Sequence, residues 1–559
     1  MLRKLNKNSV TEFIYLIFIL FLFLIVLTPS GFGTYLGAET WKPWSASRIF
    51  LTEGKFVQNS IGPLYYLFLT ILSPFNYKYS LLIEYFITHL FFLMCLYYLF
   101  RSFDKKILGI FFAILLITYI SYIQSPKYVL AAGFLILHFL NHKKPYFNFW
   151  FPPFLLISFL CNWGYLVFYI GHLIGKIFFH IKNKNFKLDK PTIPTVILCT
   201  ILICPIIFKA DKFYNNHYVD FYDPNYSPVN LDSPLTIGFF QIGNWKKSKK
   251  NYQDNELYKA DWYITHEDYY GKCKTLICLM KNNPKIIIQE IINDPGYNLR
   301  MLTSLIFNKD ILIIKKIYFI LFLLIFIFII VFGATNIFRE NKNNYVLFSC
   351  LFFGTSGYIL ALSLTTFSYR YSFPLFPIFI LLLLNSSVNT NIFGKRFNNI
   401  NLILIFAVLV QLIFNIKDFS TNYNNKEFLK FLNVKYNDKE KTNYFKSEKN
   451  VFSLIDNSQK ILTTDSNWLT GFSKANPKKV YSLFALPPIY VENTLNFLDS
   501  FDIILLNNQI ENTEPSVGTQ TYLRYELYLK DYLEFSKDKW IQKEISNYGK
   551  IFIRKINTK

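Results

Sequence analysis

Residues 12–29, "EFIYLIFILFLFLIVLTP", form an apolar run that is long enough to cross the hydrocarbon core of a bilayer as one helix. No small-residue cleavage pattern follows this run, so we expect a retained first helix rather than a signal peptide. The whole chain of 559 residues is 52% hydrophobic and 19% aromatic, which exceeds what the core of one water-soluble domain needs. The sequence therefore predicts a polytopic α-helical membrane protein.

Further apolar windows follow along the chain and bring the predicted number of transmembrane helices to about eleven. An odd number of spans places the two ends of the chain on opposite sides of the membrane. The predicted spans are 12–29, 80–100, 107–123, 128–141, 147–162, 164–180, 192–208, 317–338, 345–366, 372–388 and 400–416.

Positive charge predicts the orientation of these spans. The formal net charge is +23, and much of the excess lies in short loops between apolar runs, where it orients a membrane protein rather than binding nucleic acid. With the amino terminus in the cytoplasm, the inner loops all carry net positive charge: "MLRKLNKN", "RSFDKK", "NHKKPY", "HIKNKNFKLDK", "RENKNN" and "NIFGKRFNN". The outer loops "SYIQSPK" and "CNWG" are poorer in Lys and Arg. We predict a multi-pass protein of the bacterial inner membrane whose carboxyl-terminal segment is periplasmic or extracytoplasmic.

Three outer segments are too long to be simple connections, and function is expected in them. Residues 30–79 contain "GPLYYLFLTILSPF", which is too short to span comfortably and predicts an interfacial helix on the outer surface. Residues 209–316 contain "NNPKIIIQEIINDPGYNLRMLTSLIF", which predicts a second interfacial helix. Residues 1–416 would thus form the transmembrane domain, and residues 417–559 a separate domain.

The last segment alternates strand-like and helix-like runs. The strand-like runs are "KILTTD", "KVYSLFAL", "FDIILLNN" and "KIFIRKI", and the helix-like runs are "YVENTLNFLDSF" and "TYLRYELYLKDYLEFSKDKW". This mixture predicts a small soluble α/β domain that is tethered to the last span.

Two motifs carry a resemblance to a known family. In "AETWKPWSASRIFLTEGKFVQNSIGPLYYL", Gly54 comes fifteen positions after Glu39, and Pro63 nine positions after that. The second motif is "SYRYSFPLFPIFILLLL" at 368–384. Both resemble C-type (GT-C) integral-membrane glycosyltransferases, in the branch of protein O-mannosyltransferases and lipid A aminoarabinose transferases. There, an acidic residue, a helical stretch, a glycine and "P(P)LYY" follow one another in the first outer loop.

The resemblance implies transfer of a sugar from a polyprenyl-phosphate donor to a glycan, lipid or protein acceptor in cell-envelope glycan or lipopolysaccharide biosynthesis. An acceptor hydroxyl needs a base, and Glu39 is the candidate catalytic residue, acting in one inverting displacement. The departing phosphate needs cations opposite that carboxylate. The candidates for binding the donor phosphate are Arg370, Tyr371, Arg48, Lys55 and Arg300, with Lys127 as a further outer cation, and those for the substrate groove are Tyr65, Tyr369 and Trp41.

The chain departs from the family pattern at two positions. Many members begin the loop with paired acids, whereas Ala38 stands beside Glu39 here. Aminoarabinose transferases tend to carry Lys before the proline, where this chain has Gly62. The sequence specifies no cofactor, and it leaves dependence on a divalent metal, the sugar and the acceptor open.

Several other residues are candidates for a site or for ordinary packing. Consecutive His266, Glu267 and Asp268 are a weak metal signal and fit a solvated turn or an acceptor-site wall better. Cys273 and Cys278 lie outside the predicted spans, and their spacing, if helical, puts both thiols on one side but leaves a disulfide open. Ionisable residues are costly within a membrane span, so each of them is a candidate functional residue. Glu84 lies near the outer end of its predicted span, within snorkelling reach of the interface. We expect the imidazoles of His89, His138 and His172 to satisfy neighbouring helices.

Two other functions remain alternatives. An O-antigen polymerase or ligase would use a pyrophosphate-linked glycan, and such proteins depend on Arg-rich outer loops rather than on an acidic first loop. A transporter or flippase of lipid-linked sugars would place polar groups at mid-membrane, often in repeated halves. No internal repeat is visible, and no phosphate-binding glycine loop that would indicate ATP-driven work is present.

Overall fold

In the computed structural model of the protein, part of the chain is described. The described residues are 38–54, 62–73, 77–103, 126–142, 144, 147, 149–183, 193–207, 239, 240, 243, 247, 262–292, 345–364, 374–386, 450–464, 466–483, 486, 494–508, 524–546 and 548–555. Helices dominate up to residue 386, and strands occur only in the later described ranges.

The helices before residue 387 are numbered along the described part of the chain. They are α1 (Ala38–Glu53), α2 (Pro63–Leu72), α3 (Tyr77–Ser102), α4 (Pro126–Leu140), α5 (Pro153–Cys161), α6 (Leu166–Asn183), α7 (Ile193–Ile207), α8 (Trp262–Tyr270), α9 (Leu276–Asn282), α10 (Pro284–Ile292), α11 (Tyr345–Leu364) and α12 (Leu375–Ser386).

Seven of the predicted spans overlap helices, namely α3 to α7, α11 and α12. The other four, at 12–29, 107–123, 317–338 and 400–416, lie outside the described residues. Within the described ranges, two stretches are long and apolar enough to cross a membrane, Ile83–Ser102 and Trp163–Ile181. The number of eleven spans therefore stays a prediction.

The helical conformation is interrupted at Asn162, between α5 and α6. Its backbone is extended, with φ −150° and ψ 118°, and its side-chain oxygen accepts a hydrogen bond from the Gly164 N–H at 2.9 Å. A short 3₁₀ turn, Trp163–Tyr165, then leads directly into α6. The interruption lies within "CNWG", where a connection was predicted. The helix ends here because the Asn side chain binds nearby backbone and so competes with the helical hydrogen bonds.

Helices α6 and α11 pack closely through glycines. A Cβ atom added at Gly171 would lie 2.9 Å from the Ser349 carbonyl oxygen, and one added at Gly175 would lie 2.7 Å from the Cα of Val346. Gly171 and Gly175 form a G-x-x-x-G pattern, "GHLIG", that allows two helix backbones to approach each other.

The carboxyl-terminal described residues form one mixed sheet of five strands. The strands and the helices between them are, in chain order, β1 (Ile461–Thr463), α13 (Ser466–Phe472), β2 (Val480–Ser482), α14 (Thr494–Leu498), β3 (Ile503–Asn507), a π-helical turn (Tyr525–Leu529), α15 (Lys530–Phe535), β4 (Trp540–Ile545) and β5 (Gly549–Arg554). The strand order is β2-β1-β3-β5-β4, with β1 parallel to β2 and β3, and β5 antiparallel to β3 and β4.

Both faces of this sheet are covered at its centre. Ile503 and Leu505 of β3 point into the apolar cluster that contains Trp468 of α13, whereas Ile504 and Leu506 point into a second cluster. A strand that is buried on both faces reads as a continuous apolar run, which is why "IILL" has no alternation.

Each of the four strand-like runs contains a strand, but β4 was missed. The interior of β4, Ile541–Glu544, is exposed, and only Trp540 and Ile545 at its ends are buried. An edge strand that is held by hydrogen bonds from one neighbour needs no apolar alternation, so its sequence carries little signal.

Candidate functional site

Helix α1 carries the candidate base near its start. Glu39 is the second residue of α1, and the described structure gives its backbone but not its side chain. The helix ends at Glu53, and Gly54 follows with φ 67° while its N–H bonds to the Phe50 carbonyl at 2.9 Å. Glycine adopts this left-handed conformation without steric cost. The stretch between the acidic residue and the glycine is thus a single helix with a glycine stop.

The carboxylate of Glu84 on α3 is the centre of a buried polar cluster at this helix. The Trp44 indole Nε1 donates to Glu84 Oε2 at 2.8 Å, and the Tyr65 hydroxyl donates to Glu84 Oε1. Glu84 is 1% exposed. Glu84 is therefore buried inside the protein, and its two oxygens accept from donors on α1 and α2.

Lys127 supplies positive charge to the same cluster. It is the second residue of α4, it is 6% exposed, and its charge favours the ionised form of the Glu84 carboxyl group, which burial opposes more strongly. Its Nζ also lies 5.3 Å from the centroid of the Tyr128 ring, within cation–π range. A carboxyl group and an ammonium group within electrostatic range of each other lower the cost of burying either charge.

The carboxyl-terminal α/β segment packs against α1 as well. Both Nη atoms of Arg48 donate at 3.2 Å to backbone carbonyls, one of Thr470 and one of Ala475. The hydroxyls of Ser45 and Thr470 are 2.5 Å apart, and the rings of Trp44 and Phe472 are 5.8 Å apart. Burial lowers the pKa of Arg48 from its usual value, although a guanidinium stays charged. Helix α1 and the carboxyl-terminal segment thus share an interface.

The structure places only some of the predicted site residues. Tyr65 is fully buried against Glu84, and Arg48 binds the two carbonyls of the α/β segment. The backbone of Trp41 is described but its side chain is not. The candidates outside the described residues are Lys55, Arg300, Tyr369, Arg370 and Tyr371. Their roles in binding the donor stay predictions.

Sequence reasoning singled out Glu84 and Lys127 but not their association. Trp44 and Tyr65, which complete the cluster, lie 40 and 19 residues before Glu84 in the chain. The available signal was that a carboxylate within a span needs a partner. Nothing local identifies which indole or hydroxyl provides it.

The imidazoles in the predicted spans serve in packing. His172 Nε2 donates to the Phe149 carbonyl at 2.9 Å, and the His138 ring stacks on Phe147 at 4.3 Å between centroids. His89 instead bonds within its own helix, from Nδ1 to the Tyr85 carbonyl at 2.8 Å. The partner of His172 is thus the connection before α5 rather than a neighbouring helix, and the hydrogen bond of His89 to Tyr85 is intrahelical.

The segment 262–292 forms three short helices, α8 to α10, around a buried histidine. His266 is 1% exposed, and its Nε2 donates to the Cys273 carbonyl at 2.8 Å, so the solvated-turn interpretation is wrong for this residue. Glu267 and Asp268 are exposed on the same helix. Successive helical residues point in different directions, and among the described residues no three metal-ligating side chains come together.

Cys273 and Cys278 form a disulfide with their Cα atoms 5.4 Å apart. The two cysteines do not share one helix, because Cys273 precedes α9 and Thr275 caps its start by accepting from the Cys278 N–H at 3.1 Å. The bridge, which the sequence left open, therefore closes the turn between α8 and α9.

We expect segment 262–292 to lose stability on mild acidification. Burial, with nearby Lys247 and Lys274, lowers the pKa of His266 to about 4 although its bond to the Cys273 carbonyl opposes the shift. The unfolded segment takes up a proton below its ordinary pKa of about 6.5, but the folded one does not, so stability falls between pH 6.5 and 4. At pH 5 the loss is about 2 kcal/mol. Hydrogen exchange, corrected for intrinsic rates, measures it.

A His266→Gln variant is the control for this pH dependence. Its amide can donate to the same carbonyl but does not titrate, so we expect its protection to be insensitive to pH over this range. An equal loss of protection in His266→Gln and the wild-type protein would contradict the role of His266.

Comparison of the chain with known protein families, with curated proteins and with solved structures found no match. The functional inference therefore depends on the arrangement of side chains. That arrangement is a helix carrying an acidic residue in its first turn, fixed by Trp44 to the buried carboxyl group of Glu84 and by Arg48 to the α/β segment.

Proposed function

We propose that the chain is a membrane glycosyltransferase that moves a sugar from a polyprenyl-phosphate carrier to a glycan, lipid or protein acceptor. The reaction takes place at the outer face of the bacterial inner membrane. Glu39 accepts the proton of the acceptor hydroxyl as that oxygen attacks the anomeric carbon. The bond from this carbon to the carrier phosphate breaks in the same displacement, which inverts the configuration. Cationic residues, with Arg370 the first candidate, stabilise the departing phosphate.

The observation that carries this proposal is where α1 lies. It contacts α2, the first part of α3 through Glu84, and the α/β segment through Thr470. The charge of the loops predicts that all of these segments lie on the outer side of the membrane. A membrane enzyme that joins a lipid-linked donor to an outer acceptor needs its base at this boundary.

Contacts at the opposite ends of the helices support the same orientation. Trp150 and His180 stack with centroids 5.4 Å apart, and both belong to segments predicted to lie at the inner face. Tyr165 and Tyr128, at predicted outer ends, are linked by a hydrogen bond of 2.9 Å from the Tyr165 hydroxyl to the Tyr128 carbonyl. In these pairs, segments that contact each other were assigned to the same side from charge alone.

Exposed apolar side chains on α6 support burial in lipid. Ile170, Ile177 and Ile181 are exposed and recur at intervals of seven and four residues, so they form one stripe of the helix. Such a stripe is costly in water and favourable against lipid chains. An exposed apolar stripe of this kind is typical of a helix that faces the lipid of a bilayer.

Purified protein in liposomes, supplied with radiolabelled polyprenyl-phosphate sugars and a panel of acceptors, tests the function. We expect label to move from at least one donor to an acceptor, whereas protein-free liposomes show no transfer. Transfer only from a pyrophosphate-linked glycan would favour a polymerase or ligase instead. Net movement of the labelled carrier across the bilayer without acceptor, and without any product, would favour a flippase and contradict the proposal.

A further inference from the structure

We propose that Glu84 is a positioning residue for sugar transfer: by accepting hydrogen bonds from Trp44 on α1 and Tyr65 on α2, it holds the helix that carries Glu39 in place against α3. This inference rests on the proposed function. Glu84 does not touch the substrate, because it is buried and both of its oxygens are bound by protein donors.

The bond from Trp44 controls the part of α1 that contains Glu39. The two residues are five positions apart, which is about 7.5 Å along a helix axis. Pro43 lies between the two residues and has no N–H to bond to the Glu39 carbonyl, so the bond at Trp44 fixes the helix directly after this proline and thereby sets where the first turn begins to diverge. The Glu84 carboxyl group offers one oxygen to each donor, Oε2 to Trp44 and Oε1 to Tyr65.

The same carboxylate joins both described helices of the first outer loop to the helix that follows. Tyr65 lies on α2, and the Glu84 carboxylate binds Trp44 and Tyr65 at once. Removal of the carboxylate would leave a buried indole N–H and a buried hydroxyl without this acceptor. An unsatisfied buried donor is unfavourable, so α1 and α2 would shift toward other partners.

Such a shift matters for catalysis because a general base must be within about 3 Å of the proton it removes. A displacement of about 1 Å can reduce a rate by about 100-fold. A residue that acts only through the position of Glu39 should therefore change kcat and leave the donor affinity nearly unchanged.

Two variants of Glu84 separate acceptor loss from loss of volume. Glu84→Met keeps an unbranched chain but cannot accept from Trp44, whereas the amide oxygen of Glu84→Gln can. We expect Glu84→Met to lower kcat by about 100-fold with KM for the donor within about twofold, and Glu84→Gln to recover most of the loss. Trp44→Phe removes the indole donor but retains a ring, and we expect it to lower kcat by a similar factor. It replaces Glu84→Met as the test if that variant does not fold.

The position of α1 is measured independently of activity. Nitroxide-bearing unnatural amino acids replace Leu51 on α1 and Ile87 on α3, both of which are exposed. We expect the distance distribution between them to broaden in Glu84→Met and to stay narrow in Glu84→Gln. Ser80→Ala is the matched control, since it removes a bond of 2.9 Å from α3 to the Leu72 carbonyl but touches neither Trp44 nor Tyr65. Its distance and kcat should equal those of the wild-type protein.

An unchanged distance in both folded Glu84→Met and Trp44→Phe would overturn the anchoring of α1. A broadened distance with full kcat would overturn the positioning role. Lack of transfer by the wild-type protein with every donor would overturn the proposed function itself, and a loss confined to the variants leaves that function intact.

Discussion

Replacing Glu39 with Gln is expected to lower the rate of sugar transfer by about 100- to 10,000-fold, the usual contribution of a general base. The amide occupies nearly the same volume but cannot take a proton from an acceptor hydroxyl. Because Glu39 is in the first turn of α1 and the helix is anchored further along at Trp44 and Arg48, we expect the variant to fold normally. Transfer in reconstituted liposomes, with donor binding measured separately, checks this expectation.

The matched control is Glu53→Gln at the other end of the same helix. It makes the same chemical change fourteen residues away, about 21 Å along the helix, and we expect transfer to remain within about twofold of the wild-type rate. Normal transfer by a folded Glu39→Gln protein would remove Glu39 from the mechanism. Equal losses in the two variants would point to an effect of charge on α1 rather than to a base at Glu39.

Replacing Gly62 with Ala is expected to destabilise the junction of α2 and α5 by about 3 kcal/mol, at the upper end for added bulk in a packed site. The Gly62 N–H bonds to the Cys161 carbonyl at 3.1 Å, and a Cβ at this position would lie within 1.9 Å of the Leu160 carbonyl oxygen. The obstacle is backbone, which cannot rotate aside as a side chain can. Thermal unfolding in detergent measures the loss, and a larger loss is expected for Gly62→Lys.

Gly357→Ala on α11 is the control, because its added Cβ would meet only Val167 at 3.7 Å, an ordinary contact distance. We expect its unfolding temperature to stay close to that of the wild-type protein. Equal stability of Gly62→Ala and Gly357→Ala would contradict the close approach of α2 to α5. The close approach also gives a physical reason why position 62 is glycine.

Local signals in the sequence predicted many of the elements but not all of their limits. Apolar windows located α3 to α7, and the strand-like run at "FDIILLNN" contains β3. The edge strand β4 was missed because its interior residues face solvent. His266 was read as part of a solvated turn, since three polar residues in a row carry no information about which of them a helix buries.

The sequence by itself predicted the class of the chain and the sidedness of its loops, and it contains the residues at which helices stop, such as Gly54 and Asn162. These follow from hydropathy, charge and backbone preference, which are properties of a few neighbouring residues. Only the tertiary structure decided that Glu84 binds Trp44 and Tyr65, and that Arg48 binds the α/β segment. A hydrogen-bond partner depends on which faces of distant helices meet, and no short-range pattern encodes that choice.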